Sequence, residues 1–217
     1  MAGFGELVLV LGDLHFAQIP ESFKRMLVPN KMKYVLCTGN INREQYNELC
    51  TLAPNVFVSR GDFDDQHSDP TMPQFPESHV VQVGQFKIAL IHGHQIVPCG
   101  SQDAEARMRR KLSNADILVT GHTHKNEVSL IDGHYHINPG SITGSFSPLV
   151  GDGEVTPSFI LLAIQDTKLT CYVYELKPDG VEVEVSKTEF TKPTSSENDG
   201  NTDTGGTNPA LLQSLLA

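Results

Sequence analysis

An α/β fold of two packed sheets flanked by helices is predicted by three features of this 217-residue sequence. Short apolar runs alternate with helix-patterned segments over the first sixty residues, hairpin signals and strands dominate after residue 80, and glycine-led aspartates and histidines recur where strands end. The first feature signals wound α/β units and the second antiparallel pairing. The third places a site at strand ends, where open α/β sheets form their ligand crevices.

Residues 6–11 form a branched, apolar run closed by Gly12, which reads as a strand buried on both faces. Residues 20–28 carry Phe23, Met26 and Leu27 on one helical face, and 34–37 follow as a strand ended by Thr38 and Gly39. Asn42 with Gln45 three residues on matches a capping box, opening a helix that runs to about Ala53 before a third strand at 56–58. The stretch 62–76 holds four aspartates and three prolines with little apolar periodicity, so it is an exposed loop. Residues 80–83 and 86–91 flank Gly84 and Gln85 as a hairpin, and a helix near 102–112 leads into a strand at 116–120. Asp132-Gly133 is a favoured hairpin turn between 126–131 and 135–137. Strands at 158–164, 169–174 and 181–185 complete an antiparallel series, with Pro178-Asp179-Gly180 as one of its turns.

Residues 1–190 are thus read as one domain and 191–217 as a polar tail, too poor in apolar residues through 208 to offset its ordering entropy. The tail closes on Ala210, Leu211, Leu212, Leu215 and Leu216, either a frayed end or a docking peptide. The formal charge of -10 disfavours nucleic acid and anionic membrane surfaces as direct partners. The apolar run at 7–11 is far shorter than the roughly 18 residues a span requires, and no cleavable signal precedes it. Ala2 stands where myristoylation demands glycine, so membrane association would run through a partner, without direct insertion. Cys37, Cys50, Cys99 and Cys171 lack paired short spacings and read as free thiols.

Five segments carry the chemistry: Gly12-Asp13-Leu14-His15, Gly39-Asn40, Gly61-Asp62-Phe63-Asp64, His92-Gly93-His94 and Gly121-His122-Thr123-His124. An Asp-x-His or His-x-His pair on extended chain projects both side chains to one side, which suits one metal ion or two adjacent ones. Any one pair is more simply a surface loop with a hydrogen-bonded histidine; all five together are not.

This order resembles the motif series of the calcineurin-like metallophosphoesterases over residues 6 to about 190. The resemblance implies a four-layer α/β/β/α sandwich of the metallophosphoesterase type. Within that superfamily, 37–40 (Cys-Thr-Gly-Asn), 60–64 (Arg-Gly-Asp-Phe-Asp), 83–88 (Val-Gly-Gln-Phe-Lys-Ile) and 137–141 (Ile-Asn-Pro-Gly-Ser) are similar to the small-subunit family of retromer, a protein-sorting coat. Carried over by motif, the resemblance implies a first metal on Asp13, His15 and His124, a second on Asp62, His92 and His122, and Asn40 between them. The cofactors implied are two divalent metals, Zn²⁺ or Mn²⁺, weakly bound, because a neutral carboxamide bridges two dications less well than the aspartate of active relatives. Phe63 stands where active phosphatases place the histidine beside the scissile phosphate, so no catalytic residue is assigned.

The family resemblance then implies a non-catalytic or very weakly active scaffold subunit. It would bind the large helical-solenoid subunit of retromer, with endosomal regulators as further partners, and serve cargo retrieval from endosomes to the Golgi or plasma membrane. Its expected location is cytoplasmic, peripheral on endosomes through the complex. Ile96, Val97 and Pro98 are the expected partner-binding residues: they follow a metal ligand and put two branched apolar residues in an exposed loop, unless that loop caps the core. The alternative function is a weak metal-dependent phosphodiesterase.

Overall fold

The computed structural model describes residues 5–15, 17–64, 71–150 and 153–192. In chain order its elements are β1 (Glu6–Leu11), α1 (Glu21–Lys24), β2 (Tyr34–Cys37), α2 (Arg43–Leu52), β3 (Asn55–Val58), β4 (Ser78–Val83) and β5 (Phe86–Ile91). They continue as α3 (Gln102–Lys111), β6 (Ile117–Val119), β7 (Asn126–Ile131), β8 (His134–Pro139), β9 (Ser158–Gln165), β10 (Lys168–Leu176) and β11 (Val183–Thr191).

One sheet has the order β11-β10-β9-β1-β2-β3, parallel through β1, β2 and β3 and antiparallel from β1 to β11. The other has the order β4-β5-β6-β8-β7, parallel in its centre and antiparallel at both edges. Alternation along β1 sorts the layers. Val8 and Val10 face the second sheet and pack among Val83, Ile88, Leu90, Ile117, Val119 and Ile137. Leu9 and Leu11 face the other way, onto Phe23 of α1 and Leu49 and Leu52 of α2. Beyond the second sheet, Ala89, Ile91 and Leu118 meet Ala104 of α3. The layers run helix, sheet, sheet, helix, as the motif resemblance implies.

Local chemistry sets the boundaries. Asn42 caps α2 by accepting from Gln45 N–H while the Gln45 side chain accepts from Asn42 N–H, both at 2.9 Å. Asp132 and Gly133 both sit at positive φ, the geometry that the tight turn between β7 and β8 demands. Two expectations are corrected. The helix expected over 20–28 is one turn, Glu21–Lys24, because Pro29 disfavours helical backbone at Val28 and the chain leaves through turns in which Met26 N–H and Leu27 N–H both reach Phe23 O. The strand expected at 181–185 starts at Val183 and runs to Thr191, paired with β10 throughout, since an exposed edge strand held by ladder hydrogen bonds carries little apolar pattern. The apolar segment 210–216, like all of the chain after Lys192, lies outside the described residues.

Candidate metal centre

The five motifs converge at one end of the two sheets. Asp13 and His15 follow β1, Asn40 follows β2, Asp62 follows β3, His92 follows β5, and His122 and His124 follow β6. Asp13, His15, Asn40, His122 and His124 all have positive φ, five of the ten non-glycine residues that do so among those described. Left-handed backbone costs a non-glycine residue of order 1 kcal/mol, and its concentration here marks a site whose geometry is imposed by the surrounding fold. Gly121 allows the close approach: a Cβ there would lie 2.4 Å from Thr38 Oγ1 and 2.7 Å from Asp13 Oδ2.

Six residues fall into two groups, Asp13 with His15 and His124, and Asp62 with His92 and His122, each offering three ligand atoms within 4.8 Å of one another. These are the two sets that the motif resemblance implies. In the first, His15 Nε2 and His124 Nε2 are 3.1 Å apart, and His124 Nε2 is 3.7 Å from Asp13 Oδ1. Asp13 is fully buried; its Oδ2 accepts from His122 N–H at 2.8 Å, while Oδ1 has no hydrogen-bond partner. In the second, His92 Nε2 is 2.9 Å from Asp62 Oδ1 and His122 Nδ1 is 3.5 Å from Asp62 Oδ2.

The donor chemistry fits divalent cations. His92 Nδ1 meets Thr38 O at 2.8 Å and His124 Nδ1 meets Ser145 O at 2.7 Å. A carbonyl can only accept, so each Nδ1 carries a proton; His124 Nε2 can then turn a lone pair into the site, and His92 Nε2 does so once it gives up the proton that it shares with Asp62 Oδ1. A buried carboxylate oxygen without a donor, facing such lone pairs, is a binding position for a positive charge.

Electrostatics distinguish the members. Burial alone would raise the Asp62 carboxyl, but hydrogen bonds from His92 and Asn40 and the nearby histidines outweigh it and hold the group well below the usual carboxylate range. Burial works against a charged His92, yet Asp62 and Asp13 push its pKa up. Burial lowers His15, helped by His124; it lowers His122 and His94, each helped by His92.

Asn40 sits beside both groups, as the motif pattern implies, but not as a ligand in this geometry. Its Oδ1 accepts from Phe63 N–H at 3.0 Å, which fixes the carboxamide so that Nδ2 points inward, 3.0 Å from Asp62 Oδ1 and 3.3 Å from His92 Nε2. A ligand role requires that carboxamide to turn over. Phe63 is 70% exposed, with its ring edge on His15 at 5.4 Å. The loop after His94 divides: Val97 is 76% exposed, whereas Ile96 is 5% exposed and packs with Ile91, Ala104 and Leu118. The expectation that both branched residues face outward is corrected for Ile96, which Ile96 N–H to Gly93 O turns under the loop.

Sequence reasoning passed over the residues that hold the ligands. Asp64 binds three backbone N–H groups, of Asn40, Ile41 and Gly61, at 2.7 to 2.9 Å. Ser141 Oγ donates to Asp13 O at 2.7 Å. The Gly-Asp-x-Asp spacing signals the first; nothing local signals the second, 128 residues away. An open groove of about 580 Å³ starts at His124 and is lined also by Cys99, Thr123, Lys125 and Leu149.

Residues 7–167 match the family model described as the calcineurin-like phosphoesterase superfamily domain. The vacuolar protein sorting-associated protein 29 of Schizosaccharomyces pombe is 34% identical over 194 residues, covering 86% of this chain and 99% of that protein. The structure of vacuolar protein sorting 29 from Cryptosporidium parvum aligns at TM-score 0.80 and 39% identity, covering 88% of this chain and all of that one. Wild-type Vps29 of Entamoeba histolytica, crystallised with Zn²⁺, aligns at TM-score 0.76 and 44% identity, covering 84% and 98%. The chain belongs to the Vps29 family, the retromer small-subunit branch of the calcineurin-like phosphoesterase superfamily.

Proposed function

We propose that this chain is a scaffold subunit of retromer, with little or no hydrolytic activity, that docks the large helical-solenoid subunit through the face built around its two metal-ligand groups. The observation that carries the reading is the apolar character of that face. Phe63, Val97 and Phe146 are each at least 70% exposed, and all three stand on loops that carry the site: Phe63 beside Asp62, Val97 after His94, and Phe146 beside the Ser145 carbonyl that holds His124. Large apolar residues left exposed on the loops that carry a site mark a protein contact more than a pocket for a charged phosphate ester.

Asp13, His15 and His124 would hold one divalent cation, and Asp62, His92 and His122 the other. When bound, such ions supply Lewis-acid polarisation and a lowered water pKa. The residues of this chain add little to that chemistry. Phe63 cannot donate a proton to a leaving oxygen, and Asn40 offers N–H where a bridging anion would serve; a missing general acid alone costs about a hundred- to ten-thousand-fold in rate. Held by these six side chains, the ions would instead tie together four strand-end loops and stiffen the docking face. Endosomal regulators would meet the assembled coat, which would place this chain on endosomes through its partner.

The test is capture of the purified solenoid subunit by wild type and by Val97→Asp, with melting temperature as control. Loss of capture at unchanged melting temperature supports the docking face, and unchanged capture refutes it. The phosphodiesterase reading rests on the ligand set itself, and Mn²⁺-dependent turnover of a chromogenic phosphodiester, lost in His92→Ala, would overturn the scaffold-only view.

A further inference from the structure

A second buried histidine and carboxylate lie behind the loop that carries His122 and His124. His136 on β8 is 4% exposed and Glu105 on α3 is 7% exposed. His136 Nε2 lies 2.7 Å from Thr120 Oγ1. Its Nδ1 has no well-formed hydrogen bond, and Glu105 Oε2 stands 3.3 Å away. Thr120 is the last residue before the glycine that opens the histidine loop. Asn138 completes the contact: its Nδ2 donates to Thr120 Oγ1 at 3.5 Å, to Gly121 O at 3.1 Å and to Thr123 Oγ1 at 3.0 Å.

These bonds have a consistent direction. Thr120 Oγ1 accepts from Asn138, and when it gives its own proton to His136 Nε2 every polar group in this row has a partner. That requires a lone pair on Nε2 and the ring proton on Nδ1, facing Glu105. The ring is locked between α3 and the end of β6, and through Thr120 and Asn138 it fixes the backbone of Gly121 and the side chain of Thr123. Those two residues flank His122, whose N–H binds Asp13 Oδ2, and His124 is next in line. An apolar side chain in place of His136 would fill the same space, so burial alone does not call for an imidazole there.

We propose that His136, oriented by Glu105, is a positioning residue that holds the Gly121–His124 loop in register through Thr120 and Asn138 and thereby raises the metal affinity of both ligand groups. The metal part of this statement rests on the ligand assignment above. Positioning residues of this type act outside the ligands, and their loss typically costs about 10- to 100-fold in metal affinity.

The experiment is calorimetric titration of Zn²⁺ into chelator-stripped protein, together with amide hydrogen exchange at His122 before metal is added. His136→Leu should lower zinc affinity at least about tenfold. Thr120→Val, which keeps shape and removes only the hydroxyl, should lower it in the same direction and guards against a folding defect in the first variant. His136→Gln, which keeps a polar head toward Thr120, should recover part of the loss. Exchange at His122 should quicken in the Leu and Val variants. Zinc affinity within twofold of wild type in both, with unchanged exchange, would overturn the proposal and leave the pair a core hydrogen bond. If wild type binds no zinc, the ligand assignment falls; faster exchange in the variants would then still uphold the positioning role, and unchanged exchange would remove that too.

Discussion

The two ligand groups share a composition, one aspartate and two histidines, and differ in how far the protein has already satisfied them. Asp13 is sealed from solvent, and one of its oxygens has no donor. Asp62 is partly exposed, and its Oδ1 is met by both Asn40 Nδ2 and His92 Nε2. A cation entering the first group meets a buried carboxylate oxygen that has no donor; one entering the second must displace an amide and the proton between His92 and Asp62. Identical ligand types therefore do not make identical sites, because affinity depends on what the apo protein has left unpaired.

A difference in zinc affinity follows directly. Asp13→Ala should weaken the tighter of two zinc-binding events by more than about 100-fold, roughly 2.7 kcal/mol, whereas Asp62→Ala should affect only the weaker event. Calorimetry resolves the two. Equal affinities in wild type, or a tight event that survives Asp13→Ala, would break the comparison.

A second contrast sits in one loop. Ile96→Asp puts an unpartnered carboxylate into the cluster of Ile91, Ala104 and Leu118 and should cost about 3 to 5 kcal/mol, a fall in melting temperature of order 10 °C. Val97→Asp, one residue on and 76% exposed, should shift stability by about 0.5 kcal/mol or less while lowering solenoid capture by orders of magnitude. Similar melting temperatures for both variants would show that the burial difference is not real in solution.

The catalytic departures test whether the second group is the weaker for the stated reason. Phe63→His alone should gain little phosphodiesterase activity, because Asn40 still presents N–H to the site. Adding Asn40→Asp and Asp62→Asn, which moves the carboxylate to the position between the groups, should do better by at least about tenfold, a small share of what a general acid can contribute. A single variant as active as the triple, measured on a chromogenic diester with Mn²⁺, would refute the charge-placement argument.

What was legible in the sequence divides along the same line. The strands around the site were readable because apolar runs end in glycine, and the helix after Asn40 because Asn42 and Gln45 form their box within four residues. That Asp13, His15 and His124 would meet, and likewise Asp62, His92 and His122, was readable only through the order of motifs that the family shares. The inward amide of Asn40 was hidden, since it depends on the backbone N–H of Phe63, a residue 23 positions away. Motifs fix which residues meet; the hydrogen bonds of remote backbone fix which atom each one presents.

The last contrast sets Asp62 against Glu105, two carboxylates that each stand beside a histidine. Asp62 is held low by its donors, whereas burial and then the Glu127 charge push the Glu105 carboxyl up to about 7. A group raised in the folded state favours folding fully below its unfolded pKa and loses that contribution as pH rises through the folded value. Wild type should therefore lose stability between about pH 5 and 8 through Glu105. Glu105→Gln, which cannot ionise, removes that dependence. Burial lowers His136, which acts with the opposite sign, costing stability as pH falls below the ordinary histidine value, and it is present in both proteins. The difference in melting temperature between Glu105→Gln and wild type should be smallest near pH 5 and grow to several degrees by pH 8. A difference that stays flat, or shrinks as pH rises, would mean that Glu105 is ionised across the range and paired as Asp62 is, and the contrast between the two carboxylates would be lost.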